Sequence, residues 1–431
     1  MGFQESTLHF LQCPSCGGSF QLKEIFEETN GIVEQGQIAC NCGSHPICFG
    51  ILVLKNGHLK DRILTLQRRK AHREAAVLAQ GNYCEDLARG YRFLETSPRL
   101  HPVERALSGL TAPLWTLRRR RFFDDAVSFS DLLGNGAYHG YLRHRFSAQS
   151  FWTLYPFFPF LGQRRRVLEI CCGAGHASYV ISRALAPSEM ICLDGNFKNL
   201  FFLRKFFSPA KCILADASFP LPFRDGAFDL ALMMDAFHYV ESQYLLSREI
   251  ERVVGKEGGF LILHVHSSMA FNFSPGKPVS PFRIPELFHR DLAVIPEPQL
   301  LHNFLNQNPL DLITKPGAEA LEKADAFCVA ANIEPASHEK AWDRILNGPA
   351  NLRINPLYET HLSGDHFMLT RRFPSETFRR EYPLTEAYLP DQVKIGKDVL
   401  HSLATAADSD QIRQLRKKFV LLDLPDHFLR P

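Results

Sequence analysis

The 431-residue sequence contains no apolar run approaching the ~18–20 residues that a membrane helix needs. Its greasiest stretch, residues 151–161 (FWTLYPFFPFL), is too short and carries Pro156 and Pro159. A helical membrane anchor is therefore not expected. The N-terminus lacks a basic segment followed by an apolar one, so no secretory leader is expected and a cytoplasmic location is. Charge of one sign is also missing. Lys and Arg number 49 against 46 Asp and Glu, a net charge of +3, so no global field calls for a polyanionic partner. Tryptophan is scarce at 3 and tyrosine modest at 11, whereas phenylalanine reaches 35 and needs burial somewhere.

The 11 cysteines cannot all pair, and five of them fall between Cys13 and Cys48. An odd, clustered set without export signals argues for one metal site and against a disulfide framework. Cys13 and Cys16 form a C-x2-C knuckle followed by Gly17 and Gly18, and Cys40 and Cys42 form a second, irregular pair followed by Gly43. Four thiolates on two tight turns suit tetrahedral Zn2+ in a closed, structural site. Because the second pair is C-x-C, His45 or Cys48 remains an alternative to Cys40. The stretch CPSC…C-x-CG…HPICFGILVL resembles the small zinc-ribbon domain fused ahead of many bacterial methyltransferases, with Cys48 and Leu52 departing from that pattern.

From residue 166 onwards the pattern alternates. Apolar strands at VLEI, MICLD, CILAD, DLALMMD and FLILHVH are separated by helical stretches, which predicts an α/β fold with a doubly wound parallel sheet. Ligands of such sheets sit beyond the carboxyl ends of the strands. Glu169, Gly173, Gly175, Asp194 and Asp216 fall at those ends. A dinucleotide fingerprint fails because Ser178 stands where its third glycine would be.

The order E-x-x-x-G-x-G, then Leu193–Asp194, then Asp216–Ala217, then P-F-x-x-x-x-F-D closely resembles class I S-adenosylmethionine-dependent methyltransferases, and LMMDAFHYV is similar to the ubiquinone- and menaquinone-type members. That resemblance implies a Rossmann-like, seven-stranded sheet that binds S-adenosyl-L-methionine. It places Glu169 near the methionine amino group, Gly173 and Gly175 along the amino-acid portion, and Asp194 on the ribose hydroxyls. Asp216 and Ala217 would hold the adenine, with Met233 and Met234 beside the reacting methyl. Cys171 replaces the usual first glycine of the loop and narrows the same space. His238 is the expected general base, assisted by Tyr239 and Asp235, with His264 and His266 at the end of the next strand.

The organisation expected is a zinc ribbon at 1–55, a helical cap or linker at 56–135 and the cofactor-binding core at 136–270. An inserted substrate cap at 271–350, a closing hairpin of the core at 351–375 and a C-terminal tail at 376–431 complete it. Residues 136–161 are expected to fold over the cofactor, with Tyr138, Tyr141 and Arg145 as contacts. The function expected first is methyl transfer to a small, apolar or aromatic metabolite held by Phe-rich caps. An RNA methyltransferase using the ribbon and the Arg clusters (118–121, 164–166, 371–372, 379–380) is the second reading, with nucleic acid as partner. A non-catalytic binding protein is the third.

Overall fold

The computed structural model describes residues 2–54, 59–80, 137–162, 164–274, 276–313, 316–334, 341–348, 350–397, 399 and 409–426. Arg118–Arg121 and most of the expected 56–135 cap lie outside them. Within that cap, helices Leu59–Arg68 and His72–Ala79 are described.

The chain opens with β1 (Gln21–Thr29), β2 (Ile32–Cys40), β3 (Gly43–Cys48) and β4 (Ile51–Val53). Asn30 and Gly31 join β1 to β2, both with positive φ (51° and 76°), as a two-residue turn between right-twisted strands requires. The alternating part follows: β5 (Arg166–Ile170), β6 (Glu189–Asp194), β7 (Lys211–Leu214), β8 (Leu230–Met234) and β9 (Gly259–His266). Then come β10 (Ala293–Pro296) and β11 (Ala326–Ala331).

These eleven strands form one sheet, in the order β1-β2-β3-β4-β7-β6-β5-β8-β9-β11-β10. From β7 to β9 the neighbours are parallel, whereas β11 runs antiparallel to both β9 and β10. The seven strands from β7 to β10 are thus a Rossmann-like sheet. Strand order reverses around β5, which opens a crevice at the carboxyl ends of β5 and β8. Both faces are covered. Tyr179, Val180 and Ile181 of helix His176–Ala184 lie in one buried layer, and Leu246, Ile250 and Val253 of helix Gln243–Val254 lie in the other. The second helix repeats apolar residues at helical spacing and starts where the Ser242 hydroxyl accepts from the Leu245 amide at 3.3 Å.

The ribbon segment does not stand apart from this sheet. β4 pairs in parallel with β7, Ile51 through Val53 against Cys212 through Leu214, so the first four strands extend the edge of the core. Arg204 fixes the junction: its guanidinium bonds Glu34 and the Phe49 carbonyl, and it packs where a Cβ on Gly50 would lie.

Two expectations need correction. The hairpin LRINPLYETHLSGDHFMLTRRF does not close the main sheet. β12 (Leu352–Ile354) pairs with β16 (Leu421–Asp423), while β13 (Tyr358–Ser363), β14 (His366–Arg371) and β15 (Gln392–Gly396) make a separate three-stranded sheet. Five of the six β13 residues are exposed, and such a strand cannot lie in a sheet covered on both faces. The strands that do close the sheet, β10 and β11, lie inside the segment expected as an inserted cap. Many of the described phenylalanines are also core mortar. Phe146, Phe151, Phe157 and Phe158 are among the largest fully buried side chains, and Trp152 stacks on Phe419 at 4.2 Å.

Candidate functional site

The glycine loop after β5 is held by the acid that ends β6. The Gly173 amide donates to Asp194 Oδ2 at 2.9 Å, and the Asn196 amide donates to Asp194 Oδ1 at 2.8 Å. A side chain added at Gly173 would meet open space, so this face of the loop borders a cleft. Gly175 has φ 95° and abuts Leu203, where a Cβ would come within 2.5 Å, so only glycine fits the start of helix His176–Ala184. Asn196, and not Asp194, caps the helix Phe197–Phe202 through the Lys198 amide at 3.0 Å.

Asp216 is exposed beyond β7, accepting from the Ser218 amide at 2.9 Å, and Ala217 behind it is buried. Glu169 is buried and accepts from the Ser178 hydroxyl beneath the first helix. Burial first, and then the Asp194 charge, push its carboxyl up to about 8 against the opposing Ser178 bond. Met233 is buried in the same layer as Ile170 and Ala236. Cys171 sits beside the cleft with φ 54°, in the left-handed region its usual glycine would occupy freely. Burial, followed by Asp194, Asp216 and Glu169, pushes its thiol well up, so it stays protonated.

A second group converges at the ends of β8 and β9. Asp235 has φ 54° and His264 has φ 52°. His264 is the extra residue of a bulge, because β9 uses Ile262 to Val265 where β11 uses only Phe327 to Val329. Three imidazole Nε2 atoms surround one oxygen, Asp235 Oδ1: His238 and His264 at 3.9 Å and His266 at 3.8 Å. The other oxygen, Oδ2, lies 2.9 Å from Arg145 Nη1, which also donates to the Ser150 hydroxyl at 2.6 Å. Arg145 lies 5.4 Å over the Tyr141 ring, and the Leu142 carbonyl is 2.9 Å from His176 Nε2. Segment 137–147 therefore reaches both strand ends; the Tyr138 side chain lies outside the described residues.

Burial favours the neutral form of Asp235, but Arg145 and then the histidines outweigh it and hold its carboxyl below the usual range. His238 is driven down to about 3 by burial, and His266 to about 4 by burial and His264. His264 goes the other way. Burial opposes its charge, yet Glu297 and Asp235 raise it to about 9, with Nδ1 at 2.5 Å from Glu297 Oε2. His238 is not open to the surface: the backbone of Gly276 and Lys277 lies across it, the Lys277 amide donating to its carbonyl at 2.6 Å. Tyr239, with its ring 4.0 Å from His238, is the partly exposed member. Arg145 was expected as a contact folding over the cofactor and not as the partner of Asp235, and Glu297 was not among the sequence candidates. Nothing in the local sequence marks either pairing, since each meets Asp235 or His264 only through the fold.

The four cysteine sulfurs of Cys13, Cys16, Cys40 and Cys42 lie within 4.8 Å of one another, Cys13 to Cys42 at 3.4 Å and Cys40 to Cys42 at 3.2 Å. Zn–S bonds of about 2.3 Å place tetrahedral sulfurs about 3.8 Å apart, so these residues fit a zinc ion. Cys48 is elsewhere, buried and contacted by Gln67 Nε2 at 3.5 Å, and His45 packs edge-on to Phe20.

Residues 168–263 match the family model described as a methyltransferase domain. Over 97 residues the chain is 30% identical to a probable phthiotriol/phenolphthiotriol dimycocerosates methyltransferase 2 of Mycobacterium ulcerans, covering 22% of this chain and 37% of that protein. It is 31% identical over 99 residues to a fatty-acid O-methyltransferase of Mycolicibacterium smegmatis (22% and 36%). It is 28% identical over 94 residues to a mitochondrial arginine-hydroxylase of Danio rerio (22% and 29%). The chain thus spans about a third of the length of these relatives. A solved S-adenosylmethionine-dependent methyltransferase from Mesorhizobium loti is 18% identical, covering 42% of this chain and 97% of that one, with a TM-score of 0.31.

Proposed function

We propose that this chain, whose residues 168–263 are a methyltransferase domain of the class I S-adenosylmethionine-dependent family, methylates an oxygen of a small amphipathic or lipid-like acceptor. One observation carries the reading. Asp194 pins the Gly173 amide while the Gly173 face stays open, which leaves a cradle bordered by strand-end acids.

The residues present suit S-adenosyl-L-methionine. Gly173 would admit close approach of its amino-acid part, while Gly175 makes room for Leu203 and shapes the loop; Asp194 would take the ribose hydroxyls, and Asp216 with Ala217 the adenine. Glu169 lies under the loop and acts on the methionine end through the loop and Ser178. When bound, the cofactor supplies a sulfonium-activated methyl group. The protein must then orient the acceptor and exclude water. Asp235, His238 and Tyr239 are the groups that would hold the acceptor and take its proton, with Arg145 fixing Asp235. Zn2+, bound by Cys13, Cys16, Cys40 and Cys42, is structural in this reading.

The acceptor class rests on two supports. Met269, Phe271 and Phe273 are exposed just beyond His266, an apolar surface beside the cluster. Two relatives are named for fatty-acid and phthiotriol-type acceptors. The RNA reading is weakened among the described residues, where four of the cluster arginines already have acidic partners: Arg166 pairs with Asp229, Arg371 with Asp391, Arg372 with Glu359 and Arg379 with Glu386. The test is transfer of a labelled methyl group to a panel of fatty acids, hydroxylated lipids and total RNA. Label in the lipid fraction supports the proposal, and label confined to RNA refutes it.

A further inference from the structure

We propose that Asp235, His238 and His266 bind a divalent first-row transition-metal ion, with His264 standing behind them as a braced third imidazole. One oxygen and two imidazole nitrogens of the first three lie within 4.8 Å of one another. All three histidines direct Nε2 at the same atom, Asp235 Oδ1, from 3.8–3.9 Å. That separation is too long for a hydrogen bond. Metal–donor bonds of about 2.0–2.2 Å would place neighbouring donors roughly 3.0–3.5 Å apart. The carboxylate–imidazole separations need to close by only about half an ångström, while the His238 and His266 rings, stacked at 3.6 Å and 8°, must swing apart for both nitrogens to meet one ion.

Three further observations point to a ligand. His238 is fully buried, and neither of its ring nitrogens has a hydrogen-bond partner among the described residues. A buried polar group left so is costly unless something fills the space in front of it. His264 gives its other nitrogen to the fully buried Glu297, at 2.5 Å, the carboxylate–histidine bracing found behind metal ligands. Gln149 Nε2 holds Glu297 in turn, at 3.4 Å. Arg145 takes only Oδ2 of Asp235, and leaves Oδ1 to the histidines.

The donor set selects the ion. Two imidazoles and one carboxylate favour Zn2+, Fe2+ or Co2+ over Mg2+ or Ca2+, which want oxygen ligands throughout. Three protein ligands leave positions open. Resting on the methyl-transfer reading above, an acceptor oxygen would occupy one of them, and the ion, in place of His238 or Asp235 as base, would make its O–H more acidic.

The test is metal content of the full-length chain after equilibration with Zn2+ and removal of loosely bound ion. About two Zn2+ per chain are expected, one on the cysteines and one here. H266N and D235N should each lose about one, and C16S should lose the other. In C16S, added Co2+ should give ligand-field bands without a thiolate charge-transfer band. A wild type that holds only one Zn2+, with H266N and D235N unchanged, overturns the proposal. If both variants prove misfolded by circular dichroism, the Co2+ spectrum of C16S decides alone, and its absence refutes the site. Calorimetry with S-adenosylmethionine on the same samples separates the two claims. Cofactor binding without a second metal refutes the metal site only, and a second metal without cofactor binding refutes the methyltransferase reading only.

Discussion

Among the described residues two compact sets of ligand-type side chains stand out, and they are built in opposite ways. The cysteine set comes from two short turns, with Cys16 and Cys42 exposed to solvent. The aspartate–histidine set comes from the ends of β8 and β9, braced by Arg145 and Glu297 from elsewhere, and its histidines are buried. A local set announces itself by spacing and staples a segment too small to fold well alone. A set assembled by topology sits where the parallel sheet places ligands, at the cost of positive φ at Asp235 and His264. The first is fit for structure and the second for chemistry.

Removing the staple should have the largest effect. Cys16→Ser, or chelation of zinc, is expected to cost about 3–5 kcal/mol, because β4 carries the loss into β7 of the core. A thermal melt reads it directly. Loss confined to the first 54 residues, with an unchanged melt of the core, would show that the two regions are energetically separate.

Glu169 gives a pH test of the chemical region. Its carboxyl lies near 8 in the folded protein against an ordinary value of 4.5, so folding favours the protonated form. The sign follows. Below about pH 4.5 both states are protonated and nothing is lost, and stability falls as pH rises from about 4.5 through 8. Glu169→Gln should therefore be more stable than wild type by about 4 kcal/mol at pH 8 and equal to it at pH 4. Equal stability at both pH values would show that the carboxylate is satisfied when ionised.

Asp194→Ala should release the Gly173 amide and weaken S-adenosylmethionine binding by about 10- to 100-fold, a cost of about 1.4–2.8 kcal/mol. The smallest effect is expected at the loop. Cys171→Gly relieves a left-handed residue and should stabilise by up to about 1 kcal/mol, with cofactor affinity equal or higher. A loss of affinity there would give the thiol a positive role.

Much of the chemical region was legible because its signals are local. Strand ends at Ile170 and Asp194, the helix from His176 and the turn glycines all follow from short patterns. Legibility stopped where the decision was made at long range. AFCVAA is a short apolar run that reads as strand or buried helix alike, and only pairing with β9 makes it β11. The hairpin around Gly364 has sound turn chemistry but strands too polar for the main sheet. Ile51–Val53 reads as the end of a separate module, although it is the joint between the two regions. His238 was singled out from its place after a strand. Its burial, its missing partners and its stack on His266 (3.6 Å) belong to the fold alone.

The most direct test of the account is calorimetric titration of the full-length protein with S-adenosylmethionine, beside Asp194→Ala. The account predicts saturable binding of about one equivalent by wild type and at least a tenfold loss in the variant. No binding by a folded, zinc-loaded wild type would contradict it.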